Sequence, residues 1–151
     1  MDIAPDDPAR PDVTALLEEH LADMFATSPP ESVHALDVEA LRRPGVAFVT
    51  ARCDGVLLGC AALKELDSAH AELKSMRTTA ASRGTGVGRA LLAHLVGLAR
   101  DRGYTRLSLE TGTQPFFAPA RTLYAAHGFA PTGPFGDYEL DPNSAYFTRE
   151  I

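Results

Sequence analysis

The sequence has few of the residues that build metal sites, disulfide frameworks or membrane spans. It contains two cysteines and five histidines in 151 residues. Cys53 and Cys60 have no metal-type spacing with each other or with a histidine, and the histidines are scattered, so we expect no metal site. No apolar run approaches the roughly 20 residues of a membrane-spanning helix. These absences favour a chain that needs neither a metal nor a membrane.

Basic residues are also in deficit. The chain has 14 Lys and Arg against 20 Asp and Glu, a net charge of −6, and a pI of about 5.3. A nucleic-acid-binding surface needs a basic patch, so nucleic acid is not expected as a partner. The acidic, proline-broken stretch from Asp2 to Pro11 has no apolar signal core, and we therefore expect a cytoplasmic protein. Length and hydrophobic content favour a single domain.

Against this acidic background, arginines gather around one glycine-rich stretch. Residues 83–89 read Arg-Gly-Thr-Gly-Val-Gly-Arg and lie between a predicted strand and a predicted helix. The glycines allow a tight turn and a close approach to a ligand, and a helix start offers free N–H groups and the positive end of the helix dipole. With Arg77, Arg83 and Arg89 flanking the turn, this stretch predicts a phosphate-binding cradle.

Two common phosphate motifs do not match this turn. It lacks the Lys-Ser/Thr of a P-loop, which disfavours an NTP hydrolase. Arg89 stands where a G-x-G-x-x-G dinucleotide motif has its third glycine. Glu110 ends the next strand about twenty residues later, where a ribose-binding acid would stand, which leaves a dinucleotide-binding oxidoreductase open as an alternative. The chain is short for the paired halves usual in that class.

Hydrophobic periodicity predicts helices and strands along the whole chain. The helical spacing is clearest after the glycine turn, and Asp54-Gly55 is typical of a tight hairpin. The predicted elements, in order, are a short strand at Ile3, a helix with apolar residues from Val13 to Phe25, a short helix over 33–41, strands over 46–52, 56–63 and 71–78, a helix over 87–102, a strand over 106–111, a helix from Pro119 to His127, a strand from Phe129, and a last strand over 145–149.

The glycine turn and two later motifs resemble one protein family. Arg83-x-x-Gly86-x-Gly88 is similar to the pyrophosphate-binding signature of the GNAT family of N-acetyltransferases, which bind acetyl-coenzyme A. The stretches L-E-T-G at 109–112 and L-Y-A-A-H-G-F at 123–129 resemble the second half of that family, in the same order. The segments at 28–32, 34–37 and 133–138 look like a bacterial subgroup of uncharacterised YsnE-like acetyltransferases.

This resemblance implies a fold and a reaction. The implied fold is α+β, with a central, mostly antiparallel twisted sheet of about six or seven strands flanked by about four helices, as one domain over 1–151. The implied reaction transfers the acetyl group of acetyl-CoA, a co-substrate, to an amine of a small-molecule acceptor by direct attack in a ternary complex, without a metal. The acceptor and the choice between monomer and homodimer stay open. Lys74 and Arg77 are cations that would suit an acidic acceptor, unless they face the cofactor or solvent.

The resemblance also implies which residues bind the two substrates. Backbone groups of the strand before the turn would meet the pantetheine arm, and amides of the turn would hold the pyrophosphate. The implied cofactor-binding residues are Met76, Arg77, Thr78, Arg83, Gly84, Thr85, Gly86, Val87, Gly88 and Arg89. A region that varies in the family borders the acceptor site, which makes Glu31, Ser32 and His34 candidates for substrate contact. A capped loop with solvated polar groups is the alternative there.

Transfer to a lysine-like amine poses an acid–base problem. Such an amine has a pKa near 10.4, so roughly one molecule in 2,500 is neutral at pH 7, and a general base is useful. Glu72, in Ala71-Glu72-Leu73, resembles the catalytic glutamate of some members, with a solvated strand carboxylate as the alternative. Glu110 is a second candidate base, with a structural role near the cofactor cleft as the alternative. Tyr124 occupies the position from which a tyrosine protonates the departing thiolate in many members, with a core tyrosine as the alternative.

A non-catalytic protein of the same fold is a further alternative. An acyl-CoA-binding sensor would bind acetyl-CoA and release no thiol with any amine. An oxidoreductase would instead bind NAD in preference to acetyl-CoA, so the two ligands separate these classes.

Overall fold

The computed structural model describes residues 1–34 and 37–151. This part of the chain contains seven strands, four α-helices and three short 3-10 turns. The strands are β1 (Asp2–Pro5), β2 (Val46–Cys53), β3 (Val56–Glu65), β4 (His70–Thr78), β5 (Arg106–Gly112), β6 (Ala130–Thr132) and β7 (Ser144–Glu150). The helices are α1 (Pro11–Thr27), α2 (Val38–Leu41), α3 (Val87–Asp101) and α4 (Ala118–Ala126). The 3-10 turns are Pro30–Ser32, Ala80–Ser82 and Pro115–Phe117.

The strands form one mixed sheet in the order β1-β2-β3-β4-β5-β7-β6. Neighbours are antiparallel except for β4 and β5, which run parallel because α3 carries the chain between them. The predicted class, an α+β fold with a mostly antiparallel sheet, is confirmed.

The hairpin between β2 and β3 follows the predicted turn chemistry. Asp54 and Gly55 both have positive φ, 51° and 80°, as a two-residue hairpin turn of the primed type requires. Asparagine, aspartate and glycine tolerate this conformation better than other residues. The turn fixes the register in which Cys53 lies opposite Val56.

Helices cover both faces of the sheet. On one face, α3 buries an apolar stripe that contains Val87, Leu91, Leu92 and Leu95 in the main core cluster. Burial of each such large aliphatic side chain stabilises the fold by roughly 1.5–3 kcal/mol. Helix α4 adds Tyr124 to the same cluster.

On the opposite face, α1 packs against β3 and β4, and α2 packs against β2. Val13, Leu16 and Leu17 of α1 are buried there. The predicted apolar stripe of α1 is wrong at its end, because Phe25 is 54% exposed.

The predicted short helix over 33–41 is only partly described. Ala35 and Leu36, which belong to that prediction and to the subgroup motif at 34–37, lie outside the described residues. The described helix starts at Val38, where the Asp37 side chain accepts a hydrogen bond from the Ala40 N–H at 2.7 Å. Asp37 is thus the N-cap residue of α2.

Both cysteines are free thiols, Cys53 exposed and Cys60 buried. Within residues 1–34 and 37–151, no three His, Cys, Asp or Glu side chains are grouped so that they could hold a metal ion. None of the described helices combines the length and apolar character that crossing a membrane requires.

Candidate active site

The sheet opens between β4 and β5. Their parallel pairing runs from His70 and Arg106 to Leu73 and Leu109 and then stops, although both strands continue. Strand β5 stays paired with β7 as far as Gly112. In the described chain, no strand pairs with the β5-facing edge of residues 74–78. That edge is therefore available for hydrogen bonds with an extended ligand.

A bulge in β4 marks the point of divergence. The register between β3 and β4 shifts between Cys60 and Ala62, and Ser75, in the bulged segment, has a φ of 53°. A bulge bends its strand and increases the local twist, which turns the end of β4 away from β5.

The glycine turn lies beyond the free end of β4 and leads into α3. Gly84 and Gly86 have φ values of 75° and 92°, and a Cβ built at either position would meet no atom within 4 Å. Gly86 is the N-cap residue of α3, and no side chain caps this helix start. Its first intrahelical bond runs from the Ala90 N–H to the Gly86 carbonyl, 3.0 Å away. The N–H groups of residues 87–89 therefore lack helical partners, and a helix start with free N–H groups suits an anion.

The arginines of this region divide into two groups. The Arg77 guanidinium is buried and donates to Glu19 and Asp23 of α1 at 2.6 and 2.5 Å. The structure thus differs from the sequence-based picture of three arginines around the turn, because the Arg77 side chain joins β4 to α1. Arg83 and Arg89 are exposed, so their charges are accessible to a ligand at the turn.

The start of α3, the end of β4 and helix α4 converge at Gly88. A Cβ on Gly88 would lie 3.4 Å from Leu123 Cδ2 and 3.9 Å from Thr78 Cγ2. Tyr124 follows Leu123 and shares the core cluster with Leu73 and Leu109, the last pair before the strands separate. Tyr124 therefore lies in the core on the face of the sheet that α3 and α4 cover.

The Tyr124 side chain is enclosed by aromatic rings. Its ring centroid lies 6.0 Å from that of Phe129 and 6.5 Å from that of Phe147. Burial raises the pKa of the Tyr124 hydroxyl above its ordinary value, and the charge of Glu110 adds to this effect. Tyr124 is thus a neutral phenol at physiological pH and a proton donor.

Glu110 lies on the other face of the sheet, at the same opening. It follows Leu109 on β5, and its register partner on β7 is Tyr146. Burial raises the pKa of Glu110 to about 7, and the carboxylates of Glu72 and Asp141 contribute in the same direction. A carboxyl group with this pKa exchanges a proton near neutral pH.

Glu72 occupies a different electrostatic environment, although it points to the same face as Glu110. Its carboxylate is buried and accepts hydrogen bonds from the Tyr138 hydroxyl and, at 3.2 Å, from Lys74 Nζ. Lys74 Nζ also donates to the Tyr138 oxygen at 2.9 Å. Lys74 and Tyr138 thus both engage the Glu72 carboxylate, which leaves it less accessible to a substrate amine than an unpaired carboxylate.

A cleft of about 700 Å³ lies beside Glu72 and Lys74 and is bordered by residues 136–141. Two of the three predicted substrate residues, Glu31 and His34, line it. The third, Ser32, is buried and donates to Asp141 Oδ2 at 2.6 Å. The Ser32 side chain therefore links the segment that contains Glu31 and His34 to the segment over 136–141, and both segments line the cleft.

Sequence reasoning missed Tyr138 as a site residue. Its ring packs edge-on against His34 and Phe135, with centroid separations of 5.0 and 5.1 Å, and is tilted against Tyr146 at 5.7 Å. Tyr138 belongs to the 133–138 segment that resembles the bacterial subgroup, and this was the available signal. Its contact with Glu72 spans 66 positions in sequence and has no local pattern.

Comparison with known proteins agrees with this architecture. Residues 13–129 match the model of the Acetyltransferase (GNAT) family. The chain is 48% identical to the uncharacterized N-acetyltransferase YsnE of Bacillus subtilis over the full length of both, and 48% identical to the uncharacterized N-acetyltransferase YedL of Escherichia coli, covering 99% of this chain and 94% of YedL. It is 36% identical to an IAA acetyltransferase of Azospirillum brasilense, covering 99% and 97% of the two chains.

Two solved structures extend the comparison. A Klebsiella pneumoniae protein assigned as an acyl-CoA N-acyltransferase superposes with a TM-score of 0.84 at 27% identity, covering 99% of this chain and 96% of the other. A GNAT-family acetyltransferase of Elizabethkingia anophelis, solved with acetyl-CoA bound, superposes with a TM-score of 0.69 at 18% identity, covering 99% and 97%. The latter likeness concerns the fold.

The matched domain and the full-length identities settle the class of protein: the chain belongs to the GNAT family of acetyltransferases, which are acyl-CoA-dependent enzymes. Within that family it is a YsnE-like bacterial member. The family predicted from the glycine turn is therefore confirmed.

Proposed function

We propose that the protein is an N-acetyltransferase that moves the acetyl group of acetyl-CoA to an amine of a small molecule by direct attack in a ternary complex. The observation that carries the proposal is the opening between β4 and β5 beyond Leu73 and Leu109. Beyond the free end of β4, the first N–H groups of α3 lack hydrogen-bond partners within the helix and can bind the cofactor. A cleft lined mainly by charged residues lies beside Glu72 and Lys74 of β4 and can bind the acceptor. The names of the N-acetyltransferase relatives support the same reaction.

The cofactor residues predicted from the sequence fit this role through their backbones. We assign the diphosphate to the amides from Arg83 to Arg89, because this stretch combines open space at Gly84 and Gly86 with N–H groups at the start of α3 that lack helical partners. We assign the pantetheine arm to Met76, Arg77 and Thr78, whose β5-facing edge has no strand partner in the described chain. The Arg77 side chain has no part in this assignment, since α1 holds it.

We assign the general base to Glu110 in preference to Glu72. The Glu72 carboxylate already accepts hydrogen bonds from Lys74 and Tyr138, and its role in this scheme is to position these two groups. The pKa of Glu110, raised by burial to about 7, suits proton removal from an ammonium group. Glu110 takes one proton from the bound ammonium, and the neutral nitrogen then attacks the thioester carbonyl.

The leaving group needs a proton as the carbon–sulfur bond breaks. We assign this step to the Tyr124 hydroxyl, whose raised pKa keeps it protonated. The second proton lost by the amine nitrogen then replaces the one that Tyr124 has given to sulfur. The products are the amide, coenzyme A with a free thiol, and one proton held by Glu110 until it passes to water.

The Glu110 assignment predicts a defined pH profile. With an alkyl amine, kcat/KM should rise about tenfold per pH unit below 7, because Glu110 must lose its proton to act, and should level between about pH 7 and the amine pKa, since the ammonium stays abundant there. Glu110→Gln should lower kcat/KM roughly 100-fold at pH 7. Its residual rate should follow the neutral-amine fraction and keep rising through about pH 9. Initial rates of thiol release across this range measure both profiles.

Glu72→Gln is the matched control for this profile. The same amide replacement is made on the neighbouring strand, so it removes a carboxylate from the same face. The break in slope near pH 7 should persist in this variant. A profile that loses the break in Glu72→Gln and keeps it in Glu110→Gln would give the base role to Glu72.

A screen for free thiol tests the proposed function itself. Acetyl-CoA is incubated with alkyl amines, amino acids and aryl amines, and thiol release above the hydrolysis rate is the expected result. Acetyl-CoA binding without release for any amine would favour the acyl-CoA sensor. A thermal shift with NAD and none with acetyl-CoA would instead favour the oxidoreductase. We further propose that residues 1–151 act as one domain in the cytoplasm.

A further inference from the structure

We infer that the acceptor is a cationic diamine or polyamine, a small molecule with at least one ammonium group besides the amine that is acetylated. This inference rests on the proposed function and specifies the substrate class of the same site. It follows from the charges that line the cleft beside β4 and from the partners that already occupy its basic residues.

The cleft carries an excess of negative charge. Five carboxylates and two lysines line it, a net of three negative charges at neutral pH. Lys74 is paired with Glu72 at 3.2 Å, so this pair adds no net charge. The remaining carboxylates, Glu31, Asp137, Glu139 and Asp141, face Lys64 alone among the lining cations. A wall of one charge sign raises the local concentration of ligands of the opposite sign.

The cations that would favour an acidic acceptor are already engaged. Arg77 is buried against Glu19 and Asp23 on α1. Lys74 donates to Glu72 and Tyr138. The sequence had left an acidic acceptor open on the strength of these two residues. Their pairing removes that argument, since an anionic ligand would have to displace a carboxylate from each.

The cleft wall already binds an ammonium group of the chain itself. Lys74 Nζ lies 5.5 Å from the centroid of the Tyr138 ring and donates to both the Tyr138 oxygen and the Glu72 carboxylate. A carboxylate, a phenol oxygen and an aromatic face together form a set that attracts alkylammonium ions. Asp137 and Glu139, on either side of Tyr138 in the sequence, also line the cleft and offer carboxylates for an ammonium group of the ligand.

Three acceptors of equal length isolate the charge at the far end. They are 1,4-diaminobutane, pentylamine and 5-aminopentanoate, which end in an ammonium, a methyl and a carboxylate group. We expect kcat/KM to fall about tenfold at each step in that order, as a change of one unit charge near a partly screened surface implies. The diamine advantage should shrink when salt is raised from about 20 mM to about 500 mM.

A paired variant locates the effect in the cleft. Asp137→Asn with Glu139→Gln should reduce the preference for the diamine over pentylamine about tenfold, while the rate with pentylamine changes less. The control variant, Glu18→Gln with Asp101→Asn, removes two exposed carboxylates that are not among the cleft lining. It lowers the net negative charge of the protein equally and should leave the preference intact.

Binding of the three acceptors is measured separately, by thermal shift in the presence of coenzyme A, so that the charge preference of the cleft is also tested apart from turnover. A tighter diamine supports it. Equal binding and equal rates for all three, or a preference for 5-aminopentanoate, overturns it while thiol release with any amine still supports the acetyltransferase. Absence of thiol release from every amine would contradict the proposed function instead, and the binding order would then decide the inference alone.

Discussion

Tyr124→Phe should lower kcat about 100-fold at saturating substrates and leave the KM for acetyl-CoA nearly unchanged. The substitution removes one oxygen from a side chain whose ring is held by Phe129 and Phe147, so the packing survives. It also removes the group assigned to protonate the departing thiolate. The thiol of coenzyme A has a pKa of about 8.5 by analogy with cysteine. Loss of a general acid typically lowers the rate 10²–10⁴-fold. Steady-state kinetics with a thiol reagent measures the effect.

Tyr104→Phe provides the matched control. Tyr104 is also buried, and its hydroxyl donates to Glu65 at 2.8 Å. Glu65 ends β3 opposite Ala71, away from the opening at the other end of β4. This variant loses a tyrosine hydroxyl and a hydrogen bond yet should retain the wild-type kcat. If Tyr124→Phe turns over at the wild-type rate, Tyr124 is a packing residue and the proton reaches sulfur by another route.

Gly86→Val should weaken acetyl-CoA binding about 100-fold, or about 2.7 kcal/mol. Gly86 has a φ of 92° at the N-cap of α3. A β-branched residue disfavours this conformation strongly, so the turn must change its backbone and move the amides that we assign to the diphosphate. Space is not the cause, because a Cβ there meets no atom within 4 Å. Calorimetry with acetyl-CoA gives the affinity.

Gly97→Val applies the same substitution to the middle of α3. A Cβ at Gly97 also has no neighbour within 4 Å, and Gly97 lacks the positive φ of Gly86. The affinity for acetyl-CoA should therefore stay within about twofold of wild type, because the strain that this prediction depends on is absent. An equal loss in both variants would indicate a general effect on α3, and an unchanged affinity in Gly86→Val would remove the turn from the cofactor site.

The elements with a local signal were predictable from the sequence. Helix α3 shows its apolar stripe in the spacing of Val87, Leu91 and Leu95, and Gly103, just after it, has the positive φ expected of a helix stop. The hairpin turn at Asp54-Gly55 could likewise be predicted from two adjacent residues, both of which have positive φ. Such features depend on the conformational preferences of a few neighbouring residues.

The opening of the sheet had no comparable signal. It depends on where two parallel strands stop pairing, and on a left-handed backbone at Ser75, a residue type that gives no hint of positive φ. The partners of Arg77 on α1 and the contact of Glu72 with Tyr138 were equally hidden, because they lie between 54 and 66 positions away in sequence. Sequence reasoning ranked Glu72 above Glu110 as the base. The reasons to reverse that order, the contact of Glu72 with Tyr138 and the burial of Glu110, arise only in the tertiary structure.

A crystal structure of the protein with bound acetyl-CoA would test the proposed cofactor site most directly. We expect the diphosphate to accept hydrogen bonds from the main-chain N–H groups between Gly84 and Arg89. We also expect the pantetheine to pair with the free edge of β4 and the thioester to lie between Tyr124 and Glu110. A cofactor bound elsewhere, or a turn that closes on itself when acetyl-CoA is present in excess, would contradict the account.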